Sequence, residues 1–357
     1  MALALEDPFG PPKDDGGMRP DGTPWPTVVD IDGNTWTRRP PSRLSPSAFN
    51  DWRSCQRGFA FDRIQRRPSE PGLPATIGVH VHRVLDLVME LPPQERTLDR
   101  ALAIHEGLNT KLWEACRRLQ AGEPAAEVVG DRDNRDEDIR HAVEVVVLRP
   151  GLRAWNDAVE RGVRGYFAMA SPEKVEVIAT EQKFEQKWEV RDSGLIVPIT
   201  GSADRLDRLP AEYGGGIRVI DYKNGKVISP KFDKGEHDDQ ILTYAAMVEE
   251  DTGELPTAGL LLYVSHQKPK HVEVTPERVA DVKGRIGRAW ADIHDKFEDD
   301  SYEPNPGPLC GWCPHIRECD AGQAEVRMRA ARGTGRGGLR EDAPARTLLP
   351  DLSLASV

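Results

Sequence analysis

The sequence predicts a mixed α/β core with a mainly helical region ahead of it. Three observations carry that expectation. Apolar residues recur at helical spacing from about residue 45 to residue 162. Between about 173 and 222 the period changes to two, and after 238 helical and strand patterns alternate.

In chain order, residues 1–40 mix Pro, Gly and acids with little periodicity and read as an extended or disordered arm. Helical spacing begins in "SPSAFNDWRSCQRGFAFDRI", with Ser47 as the expected N-cap. Residues 78–91 read as a buried helix, 98–120 as another, and 135–162 as one or two more around Pro150. The segments "KVEVIATEQKFEQKWEV", "LIVPITGSADRLDRL" and "IRVIDYK" alternate as strands, separated by "DSG" and "EYGGG" turn signals. A helix over 238–250, a strand over 258–265, a short strand near "HVEV" and a helix over 276–297 complete the core. The expected division is an arm to residue 40 and a single domain over 41–322. That domain is mainly helical over 41–170, core over 171–300 and cysteine-bearing over 301–322. A disordered Arg/Gly-rich tail follows over 323–357.

The chain has 357 residues, 38% of them hydrophobic, enough for a substantial core. No run approaches the roughly 18 apolar residues of a membrane span, and the first residues turn acidic and Pro/Gly-rich, so a cytoplasmic protein with no membrane partner is expected. The net charge of -11 opposes wholesale attraction to nucleic acid, yet it hides local fields. Eight arginines and two acids lie between Arg38 and Arg67, and five arginines with no acid between Arg327 and Arg340.

The octapeptide "VIDYKNGK" at 219–226 places Asp221 and Lys223 two apart on a strand, hence on one face. Asp204 sits in the preceding strand, and two carboxylates in close quarters repel unless a proton or cation intervenes. Oxygen ligands suit magnesium or manganese rather than zinc, and an adjacent lysine would hold an anion or a nucleophilic water. This is the chemistry of phosphodiester hydrolysis by metal-activated water. Taken alone, however, the tripeptide is common and fits a surface ion pair.

Other residues complete an ordered series: Gly78 with His82 (G-x3-H), Gly201 with Asp204 (G-x2-D), Asp221 with Lys223 (D-x-K), and Gln240 with Tyr244 (Q-x3-Y). The series resembles the RecB-family exonuclease branch of the PD-(D/E)xK nuclease superfamily, over roughly residues 44–320. The resemblance implies that superfamily's restriction-endonuclease-like mixed sheet. It also implies metal ligation by His82, Asp204, Asp221 and the main-chain carbonyl of Tyr222, with Lys223 orienting the attacking water and Gln240 and Tyr244 positioning the scissile strand. Glu181 matches a secondary acidic position, and Asp207 reads as structural.

Cys310, Cys313 and Cys319 form C-x2-C-x5-C, a spacing suited to metal in a cytoplasmic chain. Cys55 could supply a fourth thiolate. The split set resembles the 4Fe-4S staple of AddB and of the iron-sulfur CRISPR adaptation nucleases, which implies a clasp between the two ends of the domain. Zinc is the rival, held by four thiolates or by three with His315. Gln56 stands where such proteins often have proline after the first cysteine. Cys116, among apolar neighbours, reads as a core thiol. Arg53, Arg57, Arg63, Arg66 and Arg67 surround Cys55, interleaved with Trp52, Phe59 and Phe61, a composition suited to phosphates and unpaired bases or to an ordinary amphipathic helix.

The expected activity is metal-dependent DNA exonuclease action on DNA with a free end, in repair, recombination or phage DNA metabolism. The chain lacks a G-x4-G-K-[ST] loop, so any helicase or recombination protein would be a separate partner. The alternatives are a noncatalytic DNA-end-binding module and an end-trimming nuclease of a CRISPR-type adaptation complex.

Overall fold

The computed structural model describes residues 18–68, 72–130, 134, 136–148, 152–190, 194–228, 234–334 and 337–353. Part of the expected arm is a hairpin, β1 (Thr27–Val29) and β2 (Thr35–Thr37), paired antiparallel. Its turn closes on the Asp30 carboxylate, which accepts from the peptide N–H groups of Asp32 and Asn34 and from the side chains of Asn34 and Trp36. Burial opposes ionisation there, but these donors outweigh it and hold the carboxyl at about 2.

Helix α1 (Pro46–Ser54) is capped by Ser45 rather than the expected Ser47. Ser45 Oγ accepts from Ala48 N at 3.1 Å, and Pro46, with its fixed φ, occupies the first helical position. Helix α2 (Gln56–Phe59) runs into a π-helical turn at Ala60–Ile64. The helices α3 (Leu73–Glu90), α4 (Leu98–Gln120), α5 (Ala125–Val129), α6 (Ala142–Leu148) and α7 (Leu152–Met169) follow. The stretch expected as one or two helices around Pro150 is therefore two, with 149–151 outside the described residues. Apolar faces of α3, α4, α6 and α7 share a core that includes Val81, Leu85, Leu112, Val145 and Val159. Cys116 is buried in it, as a core thiol should be. Three buried histidines also lie within this bundle. His80 Nδ1 stands 3.0 Å from His141 Nε2, and His80 Nε2 stands 3.1 Å from His105 Nδ1.

The strands are β3 (Glu176–Val190), β4 (Leu195–Arg208), β5 (Ile217–Lys223), β6 (Ala258–Tyr263) and β7 (Lys268–Val272). Helix α8 (Glu236–Thr252) connects β5 to β6, and α9 (Pro276–Asp295) follows β7. The sheet order is β3-β4-β5-β6-β7. Strands β4 and β5 are antiparallel with Arg205 opposite Ile220, β5 and β6 parallel with Asp221 opposite Leu261, and β6 and β7 antiparallel. Parallel pairing requires a crossover, which α8 supplies, and it leaves β5 almost wholly buried. Asp207 is structural, as expected. Fully buried, it is ion-paired to Arg205 at 2.7 Å and Arg218 at 3.0 Å, while Arg205 also donates to the hydroxyls of Tyr166 and Tyr222.

The segment expected to be a disordered tail carries α10 (Asp320–Ala331), α11 (Ala345–Leu348) and α12 (Pro350–Ser353). Val326, Leu339, Ala343, Ala345, Leu349 and Leu352 pack with Ile316. These apolar residues are too widely scattered along the sequence to show a period. The chain divides into two compact units where a single domain over 41–322 was expected. One holds Pro71–Lys187 and Ile199–Gly284, the other Asp14–Glu70, Trp188–Pro198 and Arg285–Val357. Among the described residues, no helix is long and apolar enough to cross a membrane.

Candidate active site

The first unit gathers the residues of the sequence series on α3, β3, β4, β5 and α8. One ligand atom from each of His82, Glu181 and Asp204 lies within 4.8 Å of the other two. His82 Nδ1 stands 3.5 Å from Asp204 Oδ1, and Asp204 Oδ2 accepts the peptide N–H of Tyr222 at 2.6 Å. Burial alone would raise the Asp204 pKa, but the His82 imidazole and the Tyr222 N–H outweigh it and lower the value. Burial likewise works against the His82 cation, and the Asp204 and Asp221 charges overcome it, lifting His82 to about 9.

Glu181 comes closer to this centre than a secondary role implies. Its backbone is left-handed, φ 44°, inside a strand. Around it the burial alternation of β3 slips phase: even-numbered residues are exposed before it, odd-numbered ones from it onward. A one-residue slip of this kind is how a bulge re-aims a side chain, at a backbone cost of about 1–3 kcal/mol. Ser202 Oγ lies 3.1 Å from Glu181 Oε2 as a donor. Partial desolvation by its neighbours first, and the Asp204 charge second, raise the Glu181 pKa. Ser202 escaped the sequence reading. Its signal is position, two residues before Asp204 and so on the same face of β4.

Asp221 is 2% exposed, and Lys223 Nζ stands 2.8 Å from its Oδ2, the same-face pairing that the i, i+2 spacing predicts. The contact is ionic and off the hydrogen-bond direction, so Oδ2 remains a buried acceptor without a hydrogen-bonding partner. Burial and the neighbouring Asp204 charge push Asp221 up to about 6 against the pull of Lys223. Lys223 Nζ also donates to Gln240 Oε1 at 2.7 Å, and Gln240 Nε2 donates to Tyr244 Oη at 3.1 Å. Gly201 makes room for that tyrosine, because a Cβ there would stand 2.9 Å from Tyr244 Cε1. The Tyr222 side chain points into the core toward Arg205.

The donor set suits a hard divalent cation: one imidazole, several carboxylate oxygens and an acceptor left without a hydrogen-bond partner. Its gathered trio is His82, Glu181 and Asp204, with Asp221 beside it and turned to Lys223.

The second unit holds the other four cysteines. Cys55, Cys310, Cys313 and Cys319 line one cavity of about 30 Å³, together with Arg57, Phe61 and Ile316. Backbone N–H groups point at the sulfurs: Gly58 and Asn305 at Cys55, Gly307 at Cys310, and Gly322 at Cys319, all at 3.4–3.5 Å. Burial pushes the Cys313 thiol up to about 11 and raises Cys310 as well. Such thiols stay protonated unless a cation compensates them. Among the described residues no three of these sulfurs gather within 4.8 Å of one another. His315 is not among the cavity walls. It is buried on Phe61 with Nε2 2.8 Å from Asp62 Oδ1.

The arginines expected at phosphates are mostly engaged within the protein. Arg67 is 7% exposed and held by Gln65 and Glu318, so it is a structural cation. Arg57 pairs with Asp300 at 2.8 Å, and Arg63 with Asp51 at 2.7 Å. Arg53 lies over Phe49, and Arg66 has a left-handed backbone. Trp52, Phe59 and Phe61 are core residues and unavailable to bases; Trp52 meets Phe59 and Tyr302 edge-on.

No curated protein matches the chain. Among solved structures, SSO0001 shares 16% identity over 40% of this chain and 60% of its own, with a TM-score of 0.27. A protein from Eubacterium rectale described as "Putative exonuclease" shares 12% identity over 86% of this chain and 92% of its own, with a TM-score of 0.36. Likenesses this distant carry no argument by themselves. The sequence pattern of one family, by contrast, matches residues 43–320, most of the chain, so the chain belongs to the PD-(D/E)XK nuclease superfamily.

Proposed function

We propose that this protein is a metal-dependent DNA exonuclease of the RecB branch, acting on DNA with a free end in repair, recombination or phage DNA metabolism. The observation that carries the reading is the meeting of His82, Glu181 and Asp204 within 4.8 Å, beside the Asp221–Lys223 pair at 2.8 Å. His82, Glu181, Asp204 and Asp221, with the Tyr222 carbonyl, would hold magnesium or manganese. Such an ion, when bound, lowers the pKa of water and offsets charge that builds on the phosphate. The protein supplies the rest. Lys223 keeps a cation beside the carboxylates, where it can hold a phosphate oxygen or the attacking water. The Tyr222 N–H keeps Asp204 ionised and ready to ligate, and His82, protonated beside it, would give up its proton to join the ligand set.

The four cysteines fit a 4Fe-4S cluster. Zinc bonds sulfur at roughly 2.3 Å in a tetrahedron, which would bring the four sulfurs to about 3.8 Å from one another. Sulfurs spread round a cavity, each approached by N–H groups, suit a polynuclear cluster better. Any helicase or recombination partner would be a separate protein.

The test is digestion of end-labelled linear and circular DNA, single- and double-stranded, with and without manganese. Manganese-dependent loss of linear substrate with circles spared is expected. Cleavage of circles at the same rate would overturn the exonuclease assignment, and no cleavage of any substrate would overturn nuclease activity.

A further inference from the structure

We infer that Tyr244 is a positioning residue for Lys223, acting through the amide of Gln240, and does not itself touch the DNA strand. The inference rests on the nuclease reading for its consequence and on geometry for its substance. Tyr244 and Gln240 are four apart on α8 and share a face. The tyrosine is 5% exposed, its ring packed against Gly201 and beside Met247, so a polynucleotide cannot reach it without unpacking the helix from the strand. Its hydroxyl, however, meets Gln240 Nε2, while the other end of the same amide meets Lys223 Nζ.

The chemistry of the three groups fixes the direction of this chain. An ammonium only donates, so Gln240 must present its carbonyl oxygen to Lys223. The NH2 end then faces Tyr244, which accepts from it. Burial raises the phenol pKa, so the group remains a neutral hydroxyl. With both ends engaged, the amide plane is set, and Lys223 is held between Gln240 Oε1 and Asp221 Oδ2, 2.7 and 2.8 Å away. Without the hydroxyl the amide can swing away from the ammonium, and Lys223 loses a neighbour that fixes where its charge lies. Gly201 belongs to the same device, because any side chain there pushes the ring off its seat.

The test uses the full-length protein with manganese and an end-labelled duplex, measuring kcat and KM in digestion and DNA affinity by anisotropy without added metal. Tyr244→Phe should lower kcat about tenfold, the scale of one hydrogen bond in a charged chain, with KM and DNA affinity within about twofold. Gln240→Ala should lower kcat at least as much, and the double variant should be no slower than Gln240→Ala alone. Gly201→Ala should reproduce the kcat loss of Tyr244→Phe. A Tyr244→Phe protein that binds DNA more weakly at unchanged kcat would overturn the inference, as would a full additional loss in the Gln240→Ala background. A wild type that cuts nothing defeats the nuclease reading, and the inference is then decided by NMR. The Gln240 side-chain amide should exchange with solvent faster in Tyr244→Phe, and an unchanged rate would overturn it.

Discussion

The carboxylate site and the cysteine site, each proposed to hold metal, are built in opposite ways. The first stands on a sheet and two long helices, and interactions within the protein already aim its ligands: Tyr222 N–H on Asp204, Ser202 on Glu181, Lys223 on Asp221. The second stands on a four-residue helix, 3-10 turns and the start of α10, with sulfurs gathered around a cavity. A preformed site binds its ion late and loses activity without it. A site whose ligands sit on turns and short helices makes the ion part of the fold. The sharpest way to break this contrast is to remove each ion.

The largest effect is expected at the cysteines. Cys55→Ser or Cys310→Ser should unfold much of the second unit, since structural metal centres contribute on the order of 10 kcal/mol. Purification without oxygen, an iron assay and a melting curve measure it. A variant that melts with the wild type would mean that no cluster holds this region. Metal chelation mild enough to spare the cysteines should, in contrast, silence the carboxylate site while lowering the melting temperature only by the small amount that loss of a bound ligand requires.

Next in size is Lys223→Ala, expected to lower kcat by about 10²–10³, the range for removing one preorganised charge-stabilising group. Its melting temperature should stay close to that of the wild type. Retained activity would show that the lysine is only the partner of a buried aspartate, and the preformed site would lose its catalytic meaning.

The catalytic unit has a weak point of its own in the helical bundle. Burial drives His141 down to about 4, and burial also lowers His105. A buried base with a depressed folded pKa takes up its proton in the unfolded chain first. Stability is therefore undisturbed above about 6.5 and falls as pH drops from there toward about 4, by about 3 kcal/mol if the full shift holds. Melting temperature against pH checks this, and His141→Asn should flatten the decline. An equal decline in the variant would assign it to other groups.

The same contrast explains what the sequence disclosed. Strands and helices with a clear period were legible, α4 to the residue, because burial imposes the period. The residues of the ordered series were legible too, since short spacings on one strand or helix fix a shared face. The packing of Trp52, Phe59 and Arg67 was not, because basic and aromatic residues interleave alike in a DNA-binding surface and in a core whose cations stack on rings. The helices after residue 320 were hidden for another reason: their few apolar residues cooperate across turns that no local pattern records.

The smallest expected effect tests how completely the carboxylate site is preformed. Glu181 holds an uncommon backbone conformation, and its carboxylate could turn outward to solvent if nothing retained it. Ser202 retains it through a hydroxyl on the strand that also carries Asp204. Outer partners of metal ligands are typically worth 10–100-fold in affinity, and one neutral hydroxyl belongs at the lower end. Ser202→Ala should therefore weaken manganese binding about tenfold by calorimetry, with the melting temperature of the metal-free protein unmoved, and Ser202→Thr should restore it. Glu181→Gln should do at least as much harm as Ser202→Ala. If Glu181→Gln binds manganese like the wild type, the trio is not the ligand set. If only Ser202→Ala is silent, the strained backbone of Glu181 is held by its strand alone, and the site is more rigid than its hydrogen bonds imply.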